Sequence, residues 1–398
     1  MASIARKNLL EDIPRFLVAQ AGIMFAVSLV TIQTGLQSGF AGSSSLLIDR
    51  SKADIWVASD SMEHLGLTLP IPYERVTQAQ DVAGVDKAEG IIIRGSVWRE
   101  EPDDKIASVT LIGAEPNGLL FDPKNLVSGS FSRLEEPYTF ITDKSNLKSL
   151  RLTGVGETGR IGSLPGTLVG LTKGTQSIVF GNLMFTSLES ANTYINPRLP
   201  NQTPVRGDSS TSNPPRQLTN DDAITFVLIR ATPGTNLDTL KQRLEAEVPD
   251  VRAFTRAEMA TRTQNYWQKR SGIGFILGLG AAVGVLVGVV VVGQILYASV
   301  SDHIKEFGTL KAMGASDWFI YRVIMEQGLW MAILGYIPGM ALCLGVASWT
   351  AATQGIAILI TPVSAIAVLG VTIGMCVSAA IFAIQKVTRV DPAIVFKG

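Results

Sequence analysis

Few residues of this chain have the type and spacing that catalysis needs. The two histidines, His64 and His303, lie far apart, and the two cysteines, Cys343 and Cys376, both sit inside apolar runs. Neither set has zinc-site spacing, and no CxxC pair occurs. His64 therefore reads as a surface or hydrogen-bonded imidazole. The run Glu100-Glu101 and Asp103-Asp104 offers carboxylates, but it reads as a solvated hairpin tip rather than a metal site. The phosphate-cradling G-x-x-x-x-G-K-[ST] is missing, as are G-x-S-x-G and H-E-x-x-H. These absences favour a mechanical or scaffolding role, or a permease whose energy comes from another subunit.

The most informative polar residues fall in Tyr297–Gln327. Asp302, Lys305, Glu306 and Lys311 alternate there with Gly308, Gly314, Ala315 and Ser316. Amphipathic helix resumes directly after an apolar run. Gly308 is expected to interrupt it, Gly314-Ala315-Ser316 to turn it, and Ser316 to cap a helix beginning at Asp317. The result is a short helical hairpin able to relay a push from a partner. A plain solvated connection is the alternative, but two helical turns with ordered small-residue bends exceed what a connection requires.

Four apolar runs must position that hairpin. The hydrophobic fraction is 46% and the charged fraction 17%, against about 25% charged in soluble domains. Mean hydropathy is +0.28. Lys plus Arg and Asp plus Glu are 34 each, so no basic field exists for nucleic acid. A bilayer span needs about 20 apolar residues. The runs give helices at 16–36, 270–297 including a stalk end, 323–348 and 356–384, with a turn near Trp349–Gly355. A signal peptide is the alternative for the first run, but that run exceeds the usual apolar length and no good cleavage site follows. Arg6, Lys7 and Arg15 precede it, Lys305, Lys311 and Arg322 lie in or just after the 298–322 hairpin, and Lys386, Arg389 and Lys397 occupy the 385–398 tail. The positive-inside rule then places both termini and the hairpin in the cytoplasm, with 37–269 outside. Gly280, Gly284 and Gly288 form a small-residue row for helix packing, within the subunit or across a dimer. The pairs Gly335/Gly339 and Gly370/Gly374 repeat the spacing.

The 37–269 stretch reads as a mixed α+β domain. Strands are expected at 53–59, 90–98, 107–113, 138–142 and 223–230. Helices are expected at 73–82, 183–194 and 236–248, the last capped by Thr235. Pro-, Ser- and Thr-rich 196–220 reads as a mobile loop dividing the domain into two lobes. Polar 252–270 reads as a helical stalk running unbroken into the second span.

The run Lys305-Glu306-Phe307-Gly308-Thr309-Leu310-Lys311-Ala312-Met313-Gly314-Ala315-Ser316 resembles the REIGILKALGAS signature of FtsX/MacB-type (type VII) ABC transporter permeases. Lys305 stands where that family often has Arg, which keeps the charge. Thr388-Arg389-Val390-Asp391-Pro392-Ala393 resembles the family's closing R-x-D-P-A. The layout of one helix, a large outer domain and three helices is also similar. Leu111-Ile112-Gly113-Ala114-Glu115-Pro116 followed by Phe121-Asp122 resembles the outer domain of DevC-type exporter permeases.

The resemblance implies four transmembrane helices plus a MacB-like periplasmic domain in the inner membrane. It implies a noncatalytic subunit working by mechanotransmission in export of a lipid, glycolipid or drug-like substrate. A separate ATPase carrying ATP and Mg would dock on Ser301–Ser316, and this chain would hold no cofactor or metal. A periplasmic adaptor, a TolC-like outer-membrane channel and a homodimer of permease chains are the further implied partners. Lipoprotein release and control of cell-wall hydrolases are alternatives within the family. A membrane-anchored sensor is the alternative outside it.

Overall fold

The computed structural model describes residues 13–101, 103–123, 125–196, 214–270, 272–354 and 358–388. Phe40–Ser271 forms the core of one unit, and Met1–Gly39 with Gly272–Ala352 and Ile356–Gly398 forms the other. We call them the outer unit and the membrane unit. Arg6, Lys7, Arg389, Lys397, the Arg389–Ala393 part of the closing motif and most of the expected 196–220 loop lie outside the described residues.

The outer unit is built on a ten-stranded sheet in the order β12-β1-β11-β3-β4-β9-β6-β8-β5, with β7 pairing β3 and β8. Its strands are β1 (Ile55–Ser59), β3 (Val85–Glu100), β4 (Ile106–Ala114), β5 (Leu126–Gly129), β6 (Thr139–Asp143), β7 (Thr158–Ile161), β8 (Leu164–Thr172), β9 (Asn182–Ser187), β11 (Phe226–Ala231) and β12 (Val251–Thr255). Two-residue strands β2 (Ile71–Pro72) and β10 (Ala223–Ile224) pair separately. The 16-residue β3 is the spine. Its first half pairs β11, from Val85↔Ala231 to Ile91↔Phe226. Its second half pairs β4, from Ile92↔Gly113 to Arg99↔Ile106. The strand thus changes partner at its middle, between Ile91 and Ile92. Trp56 stands edge-on to Phe226 at 5.4 Å, and Trp98 edge-on to Phe140 at 5.3 Å. Buried Trp98 also donates its Nε1–H to Leu150 O at 3.0 Å, so its one polar atom is satisfied. In the turn joining β3 to β4, Glu101, Asp103, Asp104 and Lys105 are exposed and Glu100 is half-buried, a hairpin tip with Arg99 and Lys105 beside Asp104 and Asp103.

The outer unit's helices are the end of α1 (Ile13–Arg50), α2 (Glu74–Asp81), α3 (Leu147–Leu150), α4 (Leu188–Ile195), α5 (Leu237–Glu247) and α6 (Arg256–Lys269). The expected helix 183–194 is instead strand β9 followed by α4. Asn182–Ser187 runs parallel to β4 from Val109↔Asn182 to Ala114↔Ser187, and Ser187 caps α4 by accepting from Ser190 N–H. A side chain at Gly113 would collide with Ala191, so this glycine lets α4 lie close on the sheet. The cap of α5 is Asn236, not Thr235; its Oδ1 accepts from Thr239 N–H at 3.1 Å. The stalk is also corrected. Residues 251–255 are strand β12, α6 begins behind a full Thr255/Glu258 capping box, and Gly272 at φ +72° separates α6 from the next helix.

The membrane unit contains four helices long and apolar enough to cross a bilayer, within Ile13–Arg50, Ile273–Asp302, Asp317–Ala351 and Pro362–Gln385. They are α1, α7 (Ile273–Asp302), α9 (Asp317–Gln354) and α10 (Pro362–Thr388), with α8 (Ile304–Ala312) between α7 and α9. At about 1.5 Å per residue the 38-residue α1 is ~57 Å long, well beyond a bilayer core of about 30 Å. Its last turns, from Phe40, belong to the outer unit, where Gln264 of α6 donates to Ser45 Oγ at 2.9 Å. No turn opens at Trp349, because α9 continues to Gln354. Pro362 starts α10 where its missing N–H costs nothing, and Thr361 Oγ1 caps it by accepting from Ser364 N–H at 3.1 Å.

The glycine row of α7 is occupied by this chain's own helices. A Cβ at Gly280 would meet Gln33, one at Gly284 would lie 3.1 Å from Leu29, and one at Gly288 would overlap Met375 and lie 2.9 Å from Ala26. Gly335 and Gly339 of α9 face Ile23 and Val27 of α1 in the same manner. Gly370 and Gly374 face nothing within 4 Å.

Candidate functional site

The hairpin begins where α7 ends. His303, at φ −94° and ψ 17°, stands between α7 and α8 and breaks the helix while both neighbours stay helical. Gly308 does not interrupt α8, contrary to the expectation from its spacing; it is buried in mid-helix. The turn that follows is a Schellman motif. Gly314 at φ +94° donates to Lys311 O at 3.0 Å, and Ala315 donates to Leu310 O at 2.9 Å. A left-handed residue is required there, and glycine takes it without steric cost. Helix α9 then starts at Asp317, with Phe319 N–H donating to Ser316 O at 3.0 Å.

The two faces of α8 do different work. Phe307, 3% exposed, is buried in the membrane unit's core with Val300, Ile320 and Ile324, and Leu310 packs beside it. That face fixes the hairpin to the spans. Among the charged candidates, Asp302 pairs with Arg15 of α1. Lys311 bonds Asp317 Oδ1 at 2.7 Å across the Gly314 turn, with its side chain only 12% exposed. Those two charges are engaged in holding the hairpin to its neighbours. Lys305 and Glu306 project from the exposed face, as do Gly314 and Ser316, while Ala315 is half-buried.

Sequence reasoning missed the apolar part of this surface. Met313 is 71% exposed and Trp318 76%, and Phe319 is also exposed. Large exposed apolar side chains of this kind mark a contact surface for a protein or a membrane. Their signal is present in the sequence as Met and Trp flanking the Gly-Ala-Ser bend.

The outer unit carries cavities that no motif announced. One of about 720 Å³ is lined by Tyr73, Glu115, Glu135 and Glu189 among others; it adjoins one of about 220 Å³ walled by Ile112, Phe121 and Phe185, and Glu115 borders both. Burial, then the neighbouring Glu89 carboxylate, push the Glu115 pKa up, against a smaller pull from Lys87. Glu89 itself is buried and accepts from Leu119 and Leu120 N–H at 2.8 and 3.0 Å. His64, 5% exposed, stacks on Tyr266 at 4.0 Å and accepts from Gly66 N–H at Nδ1. It is a satisfied imidazole whose pKa burial lowers. Among the described residues, no three His, Cys, Asp or Glu side chains gather as a metal site.

Two family profiles match the chain. Residues 16–247 match the MacB-like periplasmic core domain, and residues 278–392 match the FtsX-like permease C-terminal region. A macrolide export ATP-binding/permease protein MacB from Hyphomonas neptunium is 28% identical over 125 residues, which is 31% of this chain and 19% of that protein. The match thus spans about a fifth of that relative's length. Among solved structures, the periplasmic region of MacB from Actinobacillus actinomycetemcomitans aligns at 9% identity and TM-score 0.35, over 55% of this chain and 96% of that one. The extracellular domain of the ABC-type transporter YknZ from Gram-positive bacteria aligns at 11% identity and TM-score 0.34, over 51% and 99%. With four apolar helices, a mixed α+β outer unit and two profiles that together span most of its length, this chain belongs to the FtsX/MacB family of ABC transporter permeases.

Proposed function

We propose that this chain is a mechanotransmission permease, and that an ATPase docks on the hairpin formed by α8 and the start of α9. The carrying observation is the hairpin's two-faced construction. Phe307 and Leu310 lock it to the spans, while Lys305, Glu306, Met313 and Trp318 stand exposed. A force applied to the outer face would reach α7 through a single helix break at His303 and reach α1 through Asp302 and Arg15. In this reading ATP and Mg are held by the ATPase. The hairpin and both termini are cytoplasmic, and the outer unit is periplasmic. An adaptor meets the outer unit, with a TolC-like channel beyond it, and two permease chains work together. The cargo is a lipid, glycolipid or drug-like molecule.

Glu306→Lys reverses the exposed charge, and Trp318→Ala removes the largest exposed ring. Each is expected to reduce co-purification with the ATPase and its stimulated ATP turnover at least about tenfold, the scale of a contact hot spot, with membrane insertion unchanged. Undiminished co-purification and turnover in both variants would refute the docking site.

A further inference from the structure

We infer that the outer unit holds a binding site for a planar aromatic compound, neutral or anionic, in the cavity over Gly95 of β3. The site belongs to the outer unit alone and stands whether or not an ATPase docks on the hairpin.

A strand glycine that nothing in the chain accounts for marks the place. Glycine in mid-strand weakens a sheet, and it occurs where the strand bulges or bends, or where something approaches the backbone closely. The other strand glycines among the described residues are explained by the chain itself. A Cβ at Gly90, Gly113, Gly129, Gly159, Gly166 or Gly170 would lie 3.3 Å or less from a neighbouring atom. Gly95 differs from all of them. It is exposed, a Cβ there would meet nothing within 4 Å, and its φ lies outside the left-handed region. It pairs with Thr110 in a register that runs unbroken from Ile92↔Gly113 to Arg99↔Ile106, so no bulge requires it. Neither conformation nor packing within the unit calls for glycine at this position. A molecule outside the chain that comes close to the strand does.

The space over Gly95 is a cavity of about 580 Å³ whose walls include Thr110, Phe180, Tyr266 and Trp267. That volume falls within the usual range of small-molecule sites, about 300–1,000 Å³. Its rings are held in place by the chain. Tyr266 stacks on His64 with centroids 4.0 Å apart, and Trp267 stands edge-on to His64 at 5.5 Å and to Tyr266 at 5.9 Å. Thr110 Oγ1 donates to Phe180 O at 2.7 Å, which ties Phe180 to the residue opposite Gly95. Leu67 N–H donates to His64 O at 2.9 Å, which fixes the turn that carries the imidazole. Fixed rings beside an open strand backbone suit a flat aromatic ring. Such a ring gains from offset and edge-to-face contacts as well as from its buried area, and preformed walls cost little ordering. A side chain at position 95 would fill the floor on which it lies. Charge narrows the class further. No carboxylate lines the cavity, and its one charged residue, Arg94, makes no hydrogen bond or ion pair among the described residues. A cation finds no counter-charge there, whereas an aromatic acid does.

The test uses the full chain in lipid nanodiscs, without nucleotide or ATPase, so that failure of this site and failure of the permease reading are separate results. The probe is a fluorinated naphthoate followed by fluorine NMR, with empty nanodiscs as the blank. Saturable binding with a Kd of about 1 mM or below is expected for a ligand of that size, together with slowed hydrogen exchange at amides 64–67 and 93–96. Gly95→Val places a strand-favouring side chain where no atom obstructs it. Its thermal midpoint is expected to hold or rise while its affinity for the probe falls about tenfold or more. Gly95→Ala should keep the midpoint and lose less affinity. No saturable binding, protection confined to other segments, or parental affinity in Gly95→Val overturns the site. A midpoint lowered by Gly95→Ala overturns it as well, because packing would then be the reason for the glycine. The matching naphthylmethylammonium is expected to bind about two- to fivefold more weakly than the carboxylate. Equal or tighter binding of that cation overturns the assignment of charge.

Discussion

The two units close-pack by opposite means. In the membrane unit, helices meet where side chains are smallest: Gly22 against Val291, Gly284 against Leu29, Gly335 against Ile23 and Gly339 against Val27. In the outer unit the largest residues are the most buried, with Trp56, Trp98, Phe140, Phe185 and Phe226 all at or below 2% exposure. The difference follows from the solvent each unit faces. Lipid tails are as apolar as leucine, so moving a leucine from lipid to protein gains little, and close backbone approach is what remains. In water a buried aromatic side chain contributes in proportion to its apolar area, about 25 cal/mol per Å². Large-to-small changes should therefore dominate in the outer unit, and small-to-large changes in the membrane unit.

The largest effect is expected from Trp98→Ala. Trp98 fills the space between Phe140 and Gly159, where a side chain at 159 would strike the indole. Its removal leaves a cavity in the cluster it shares with Phe140, Ile161 and Leu168, and a loss of about 3–5 kcal/mol follows. Thermal unfolding of the full chain in detergent, followed by limited proteolysis, should show the outer unit digested at a lower temperature and the helices α7 to α10 retained. Intact resistance of the outer unit would mean that its core does not depend on this aromatic side chain.

Gly288→Leu tests the other half of the comparison. The new side chain would enter space held by Met375 and Ala26, and overpacking costs about 1–3 kcal/mol. Gly374→Leu, with nothing within 4 Å, should cost less than about 0.5 kcal/mol. Thermal stability in detergent ranks the pair. A reversed order would place the critical small-residue contact on α10, and so between chains rather than within one.

The same contrast explains which features are legible in the amino-acid sequence. The apolar runs mark the four spans because α7 lacks a charge from Ile273 to Ser301, and no tertiary detail alters that. The signature at 305–316 marks the hairpin for a related reason: its bend needs a left-handed residue, and Gly314 supplies one. Which faces are packed is not legible. Phe307 and Trp318 are both aromatic, yet one is 3% and the other 76% exposed, a difference set by neighbours distant in sequence. Gly308 misleads because a helix penalty of about 1 kcal/mol relative to alanine does not end a helix whose Phe307 is buried in the core. Leu183–Ser187 misleads because a short apolar run fits both periods, and parallel pairing with β4 decides it. The row Gly280, Gly284 and Gly288 is legible as packing, but whether its partner is α1, α10 or another chain is not.

The smallest effect sharpens the comparison within the outer unit alone. Burial lowers the His64 pKa below its ordinary value of 6.5, while Glu63 opposes the shift. The other charges around the Glu63–Leu67 turn are Arg262, bonded to its carbonyls, Arg270, paired with Glu63, and Arg94, which lines the same cavity of about 580 Å³ as His64, with Tyr266 stacked on the ring. The unfolded chain thus takes up the imidazole proton more readily than the folded one. The stability that neutral His64 lends is complete above pH 6.5 and drains as pH falls below it, because protonation removes the Nδ1 acceptor that Gly66 N–H uses. Hydrogen exchange at amides 64–67 should quicken as pH falls below 6.5, after correction for intrinsic rates, while the α7 amides hold. His64→Gln should flatten that pH response. A response that persists in His64→Gln would refute the assignment to the ring.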